Sequence, residues 1–69
     1  MDLTKKLKRV MLELDITQLE LARRTKQSQA NMSQKMSTNN YKISEYERLV
    51  NALGCELEVN IILPNGQKL

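Results

Sequence analysis

From Thr17 to Met36 the chain reads Thr-Gln-Leu-Glu-Leu-Ala-Arg-Arg-Thr-Lys-Gln-Ser-Gln-Ala-Asn-Met-Ser-Gln-Lys-Met, a run dense in amide and hydroxyl side chains. The run fits two short helices joined by a tight turn. The second opens with Ser28 and Gln29 and carries a polar face. Such a helix can push amides into the major groove of DNA, where a carboxamide matches the paired donor and acceptor of adenine. Other chemistries lack their reagents. The 69 residues hold no His and one Cys. An internal disulfide is therefore impossible, and no metal-ligand cluster is available. Glu56 and Glu58 share one strand face and read as solvating it. With no acid–base constellation, the chain reads as a binding protein rather than an enzyme, needing no cofactor.

Hydrophobic spacing gives the elements that position this segment. Leu3, Leu7, Val10, Met11 and Leu14 make one face of a helix over about residues 3–14, with Asp2 able to cap it. Asp15-Ile16 breaks the pattern. Thr17 and Glu20 form a Thr-x-x-Glu capping box opening a second helix that runs to about Arg24. Leu21 and Ala22 face inward there, while Leu19 is harder to bury. Thr25-Lys26-Gln27 is the turn. Ser28 caps a third helix over about residues 29–36, with Met32 and Met36 as its buried stripe. Gln29, Ala30, Ser33 and Gln34 lie on its outward faces. Ser37-Thr38-Asn39-Asn40 reads as a polar loop. Ser44-x-x-Glu47 predicts a capping box for a fourth helix, with Ile43 packing ahead of the cap. Tyr46, Leu49, Val50 and Leu53 form its apolar face, and Gly54 follows its end. Residues 55–63 then alternate with period two, which predicts a strand. Pro64-Asn65-Gly66 favours a two-residue hairpin loop, leaving Gln67, Lys68 and Leu69 for a short return strand.

Charge agrees with a polyanionic partner. The net charge is +3, but residues 1–42 hold nine Lys/Arg against four Asp/Glu, while residues 43–69 hold two against four. The basic portion coincides with the helical pair. Two Tyr and neither Phe nor Trp leave no stacking platform for single strands. No apolar run approaches the ~18 residues of a membrane span, and no signal peptide is visible. The expectation is a cytoplasmic, nucleoid-associated protein with no membrane contact and no evident small-molecule ligand. A chain this short buries only about 60% of its unfolded surface, so a partner chain would help.

Thr17-Gln18, Leu21-Ala22 and Ser28-Gln29-Ala30-Asn31-Met32-Ser33 resemble the Cro and phage-repressor (XRE-like) helix-turn-helix family of small bacterial regulators. Gln opens helix two, Ala follows four positions on, and an apolar residue stands ten positions after that Ala. The resemblance covers about residues 3–54. It implies a mainly α, four-helix domain that binds double-stranded DNA to regulate transcription, probing the groove with the N-terminal end of helix three. By resemblance, Gln29, Ala30 and Gln34 are base-edge residues, with Ser33 on the same face. Gln29 and Gln34 suit adenine and Ala30 a thymine methyl. Gln18 looks like a phosphate contact at the start of helix two. Ser28, Asn31, Asn39, Asn40 and Lys42 look like backbone contacts around helix three. Three positions depart from the family: Lys26 replaces the usual turn Gly, Thr25 an apolar residue, and Lys35 a Leu or Ile.

The organisation read from the sequence is a helix-turn-helix unit at 1–54 and a tail at 55–69 of the same domain. A lone strand cannot satisfy its ladder groups. Pairing with the same strand of a second copy, through Leu57, Val59, Asn60, Ile61 and Leu63, is the economical remedy. A twofold axis on Leu57 would oppose Glu56 to Glu58; an axis near Val59 or Asn60 avoids this. Such a homodimer would read a palindrome as a regulator, chiefly a repressor. The other reading is an antitoxin or protein-interaction module whose strand engages a different protein.

Overall fold

The computed structural model describes residues 2–69. Four helices follow in order: α1 (Leu3–Leu14), α2 (Gln18–Arg24), α3 (Gln29–Thr38) and α4 (Ile43–Ala52). Local chemistry sets their starts. Asp2 Oδ1 accepts the Lys5 N–H at 2.9 Å and opens α1. Thr17 and Ser28 accept the N–H of Glu20 and Asn31, each at 3.1 Å, satisfying donors that a helix start leaves orphaned.

Both capping boxes depart from the expectation. At α2 only the Thr17 half forms, because the Glu20 carboxylate turns to Arg23 and Arg24. At α4 the cap is Lys42, not Ser44, and it makes no side-chain cap bond. The early start sets Glu45 in the first turn, where the helix dipole favours negative charge and Lys35 pairs with it. It also leaves Ile43 69% exposed instead of packed. α3 runs on through Ser37 and Thr38, which are not loop. The Thr38 hydroxyl donates back to the Gln34 carbonyl at 3.0 Å, and Asn39 closes the helix at φ 53°.

Leu7, Met11, Leu21, Ala22, Met32, Met36, Tyr46, Leu49 and Leu53 form the core. Flexible methionines fill the space that aromatic rings would otherwise take. Thr4 is buried beside them and clasps two ends of the fold. Its hydroxyl meets the Met36 carbonyl at 2.8 Å and the Tyr41 hydroxyl at 2.6 Å, and its N–H donates to Asn39 Oδ1 at 3.0 Å. The Tyr46 hydroxyl donates to the Leu3 carbonyl at 3.0 Å, and burial pushes its pKa above the usual 10.0.

Gly54 ends α4 at φ 79°, and the Cys55 N–H closes onto the Val50 carbonyl at 3.1 Å. That closure suits a left-handed glycine. The strand that the sequence predicts for the tail beyond it is not found within the single chain. Among the described residues no strand forms, because one extended segment has no neighbour to pair with. Only the tip folds back. Ile61 and Leu69 exchange backbone bonds of 2.9 Å, and the Leu63 N–H reaches the Gln67 carbonyl at 2.8 Å. The loop has three residues, Pro64-Asn65-Gly66, rather than two. Gly66 donates to the Leu63 carbonyl at 2.9 Å and takes φ 89°, a turn followed by a left-handed residue. Leu57 packs against the core. Val59, Ile61, Ile62 and Leu69 are all more than 60% exposed. The radius of gyration is 13.4 Å, above the roughly 11 Å of a compact chain this long, because this tip stands off the helices.

Candidate nucleic-acid interface

The turn between α2 and α3 is held from three sides. Ala22 is 1% exposed, so nothing larger than a methyl separates the two helices, while Leu21 and Met32 at 0% pin them to the core. Thr25 is buried, yet its hydroxyl is satisfied: it donates to the Leu21 carbonyl at 2.9 Å and accepts from Gln27 Nε2 at 3.0 Å. This is how a polar residue occupies a site suited to an apolar one. Lys26 adopts φ 56°, the left-handed geometry that costs a non-glycine residue about 1 kcal/mol. The Gln27 N–H then closes onto the Ala22 carbonyl at 2.9 Å. From α4, Arg48 Nη2 donates to the Thr25 carbonyl at 2.8 Å.

With the turn so held, α3 divides cleanly. Met32 and Met36 point inward, while Gln29, Ala30, Ser33 and Gln34 are all exposed. Gln18, half-buried at the start of α2, donates through Nε2 to Ser33 Oγ at 2.7 Å. Ser33 accepts this bond, so its own O–H remains to donate outward. Ser28 and Asn31 flank the N-terminal end of α3, where Ser28 Oγ is engaged as the cap. Asn40 and Lys42 are exposed beyond its C-terminal end. Asn39 is half-buried there and its Oδ1 holds the Thr4 amide, which gives it a structural task. A family model described as the Cro/C1-type HTH DNA-binding domain matches residues 6–58.

The chain belongs to this family. No curated protein and no solved structure matches it. As a Cro/C1-type domain it is a DNA-binding helix-turn-helix protein of the transcription-regulator kind. The matched span takes in α1 from Lys6 onward, α2 to α4 and the tail as far as Glu58, and leaves the terminal hairpin outside. Among the described residues, no helix is long and apolar enough to cross a membrane, and no cluster of His, Cys, Asp or Glu could hold a metal ion.

Ion pairs in the Cro/C1-type domain engage several of its cations. Glu20 pairs with Arg23 at 2.6 Å and with Arg24 at 3.2 Å, and these hydrogen bonds hold its carboxyl at about 2. Arg24 also donates to the Ala52 carbonyl at 3.0 Å, tying α2 to the end of α4. Lys35 pairs with Glu45, joining α3 to α4 and lowering the Glu45 pKa, with a smaller contribution from Lys42. Sequence reading missed Thr4, Arg48 and the Lys35–Glu45 pair. Thr4 stands three residues before Leu7 and seven before Met11, so helical spacing could have found it. Arg48 and Lys35 gave no local signal, since their partners come from another part of the fold.

Proposed function

We propose that this chain is a sequence-specific double-stranded DNA-binding repressor that reads a palindromic site as a homodimer through α3. One observation carries the reading: α3 buries Met32 and Met36 and turns Gln29, Ala30, Ser33 and Gln34 to solvent together. Gln29 and Gln34 bind adenine edges, Ala30 meets a thymine methyl, and Ser33, braced by Gln18, donates to a base acceptor. Gln18, Ser28, Asn31, Asn39, Asn40 and Lys42 contact phosphates on either side. Repression requires no more than occupancy of the site.

The dimer uses the tail, through Leu57, Val59, Asn60, Ile61 and Leu63. Ile61 and Leu63 aim their backbone groups at the return segment. By alternation, Glu58, Asn60 and Ile62 aim theirs at the open edge. Two such edges pair antiparallel about an axis at Val59 or Asn60. The two α3 helices, about 34 Å apart, then enter successive major grooves. The antitoxin or interaction-module reading has support from the same exposed tip, with Val59 at 61% and Ile61 at 67%. A binding selection from a random duplex pool tests the proposal. The expected product is an inverted repeat with half-sites about one helical turn apart, bound with a steep salt dependence. A pool that returns with no enriched sequence overturns it.

A further inference from the structure

The helix α3 rests on a soft bed. Met32 and Met36 are buried beneath it, and methionine is unbranched with several rotatable bonds, so it fills space without dictating a helix's roll. The flank of α3 that faces α4 is not close-packed either. An open cleft of about 230 Å³ lies there, with Asn31 and Lys35 on one wall and Glu45, Arg48 and Leu49 on the other. Two polar ties run from α4 on this side. Arg48 Nη2 donates to the Thr25 carbonyl at 2.8 Å, and Glu45 pairs with Lys35. Glu45 and Arg48 stand at i and i+3 on α4, so they share one face.

We propose that Glu45 and Arg48 are positioning residues for base readout: they fix the roll of α3, and so the aim of Gln29 and Gln34, without touching DNA themselves. The inference rests on the reading of α3 proposed above and goes beyond it, since outward amides alone leave their aim unset. The tolerance is small. Side-chain tips stand about 5–6 Å from a helix axis, so a roll of about 20° carries them through about 2 Å. A binding site must hold its groups within about 0.5 Å. A carboxamide on adenine needs both of its hydrogen bonds at once, so a roll costs a base contact before it costs the fold. The two ties act at different points. Thr25 closes α2 and directly precedes the left-handed Lys26, so Arg48 fixes where the turn delivers α3. Lys35 lies about 9 Å further along the axis than Gln29, so its pairing with Glu45 fixes rotation. On the opposite flank Gln18 holds Ser33 at 2.7 Å. Thus α2 steadies α3 through Ser33, and α4 steadies it through Lys35. The paired side chains are 29% and 33% exposed, so solvent screens them only in part.

The test measures the affinity of the full chain for the duplex recovered by the selection and for a shuffled duplex of the same composition, over a range of salt. The ratio of the two affinities is the readout. E45Q and E47Q each remove one carboxylate from α4, but Glu47 is exposed and does not line the cleft. E47Q is expected to keep the native ratio within about twofold. E45Q, K35Q and R48M are each expected to lower it at least about fivefold, the lower end of one lost base contact. The swapped pair K35E/E45K should restore the ratio to within about twofold of the native value, even as its new α3 carboxylate weakens both complexes. Helical circular dichroism checks that each variant folds. If E45Q and K35Q keep the native ratio, the pair positions nothing and Glu45 loses its role; the same result in R48M removes Arg48. If E45Q binds both duplexes more tightly, with the ratio intact and a salt slope about one unit steeper than that of E47Q, Lys35 has moved to a phosphate and the positioning role is overturned. A swap that fails to rescue overturns it too. A native chain that binds both duplexes alike overturns the reading of α3 itself, an outcome visible before any variant is made.

Discussion

Lys26 holds φ 56° on an exposed turn, and this strain can be measured. Glycine adopts that geometry freely, although it also loses more freedom on folding. Lys26→Gly should therefore stabilise the chain by up to about 1 kcal/mol, visible as a rise in thermal midpoint of several degrees. A fall would mean the lysine side chain contributes something its position does not reveal. Gln34→Ala should cost about 1–3 kcal/mol on the selected site and relax preference at one base pair. Equal loss on every sequence would make Gln34 a backbone contact. Lys42→Ala should weaken all sequences alike and flatten the salt slope by about one unit; an unaltered slope removes it from the interface. At this scale much of the site was legible. The outward position of Gln29, Ala30, Ser33 and Gln34 follows from helical spacing against Met32 and Met36. The engagement of Gln18 with Ser33 at 2.7 Å did not, because it joins residues on two helices whose distance no single periodicity encodes.

Among the elements, the caps show where local signals win and where they lose. Thr17 and Ser28 cap as their positions predict. Ser44 does not, since α4 already begins at Ile43, and Glu45 in its first turn pairs with Lys35. Acid should expose these pairs. Glu20 is held at about 2, mainly by hydrogen bonds from Arg23 and Arg24, and Glu45 is lowered from 4.5, mainly by Lys35. Both carboxyls bind protons less readily in the folded chain. Their contribution is therefore full above about pH 4.5 and is lost as pH falls toward 2. Urea midpoints between pH 7 and 2 should stay level and then drop, and the drop should shrink in Glu45→Gln. Since both carboxyls face solvent, high salt should reduce it as well.

For the whole molecule, 69 residues leave little margin. The core has no large ring system beyond Tyr46, and a projecting tail adds exposed apolar surface. If dimerisation covers that surface, stability must depend on concentration. A tenfold rise in protein should lift the thermal midpoint by roughly 3–5 °C, and a midpoint independent of concentration would argue for a monomer. By itself the sequence determined the four helices, the inward methionines and the outward amides, because each follows from spacing within one helix. It also placed the tail's alternation, but not its state. Only the tertiary structure decided that residues 56–60 find no partner strand within the chain, that α4 starts early, and that a groove stays open beside the tail. Those outcomes depend on which groups meet across the fold, and a strand without a neighbour remains an extended segment whatever its pattern.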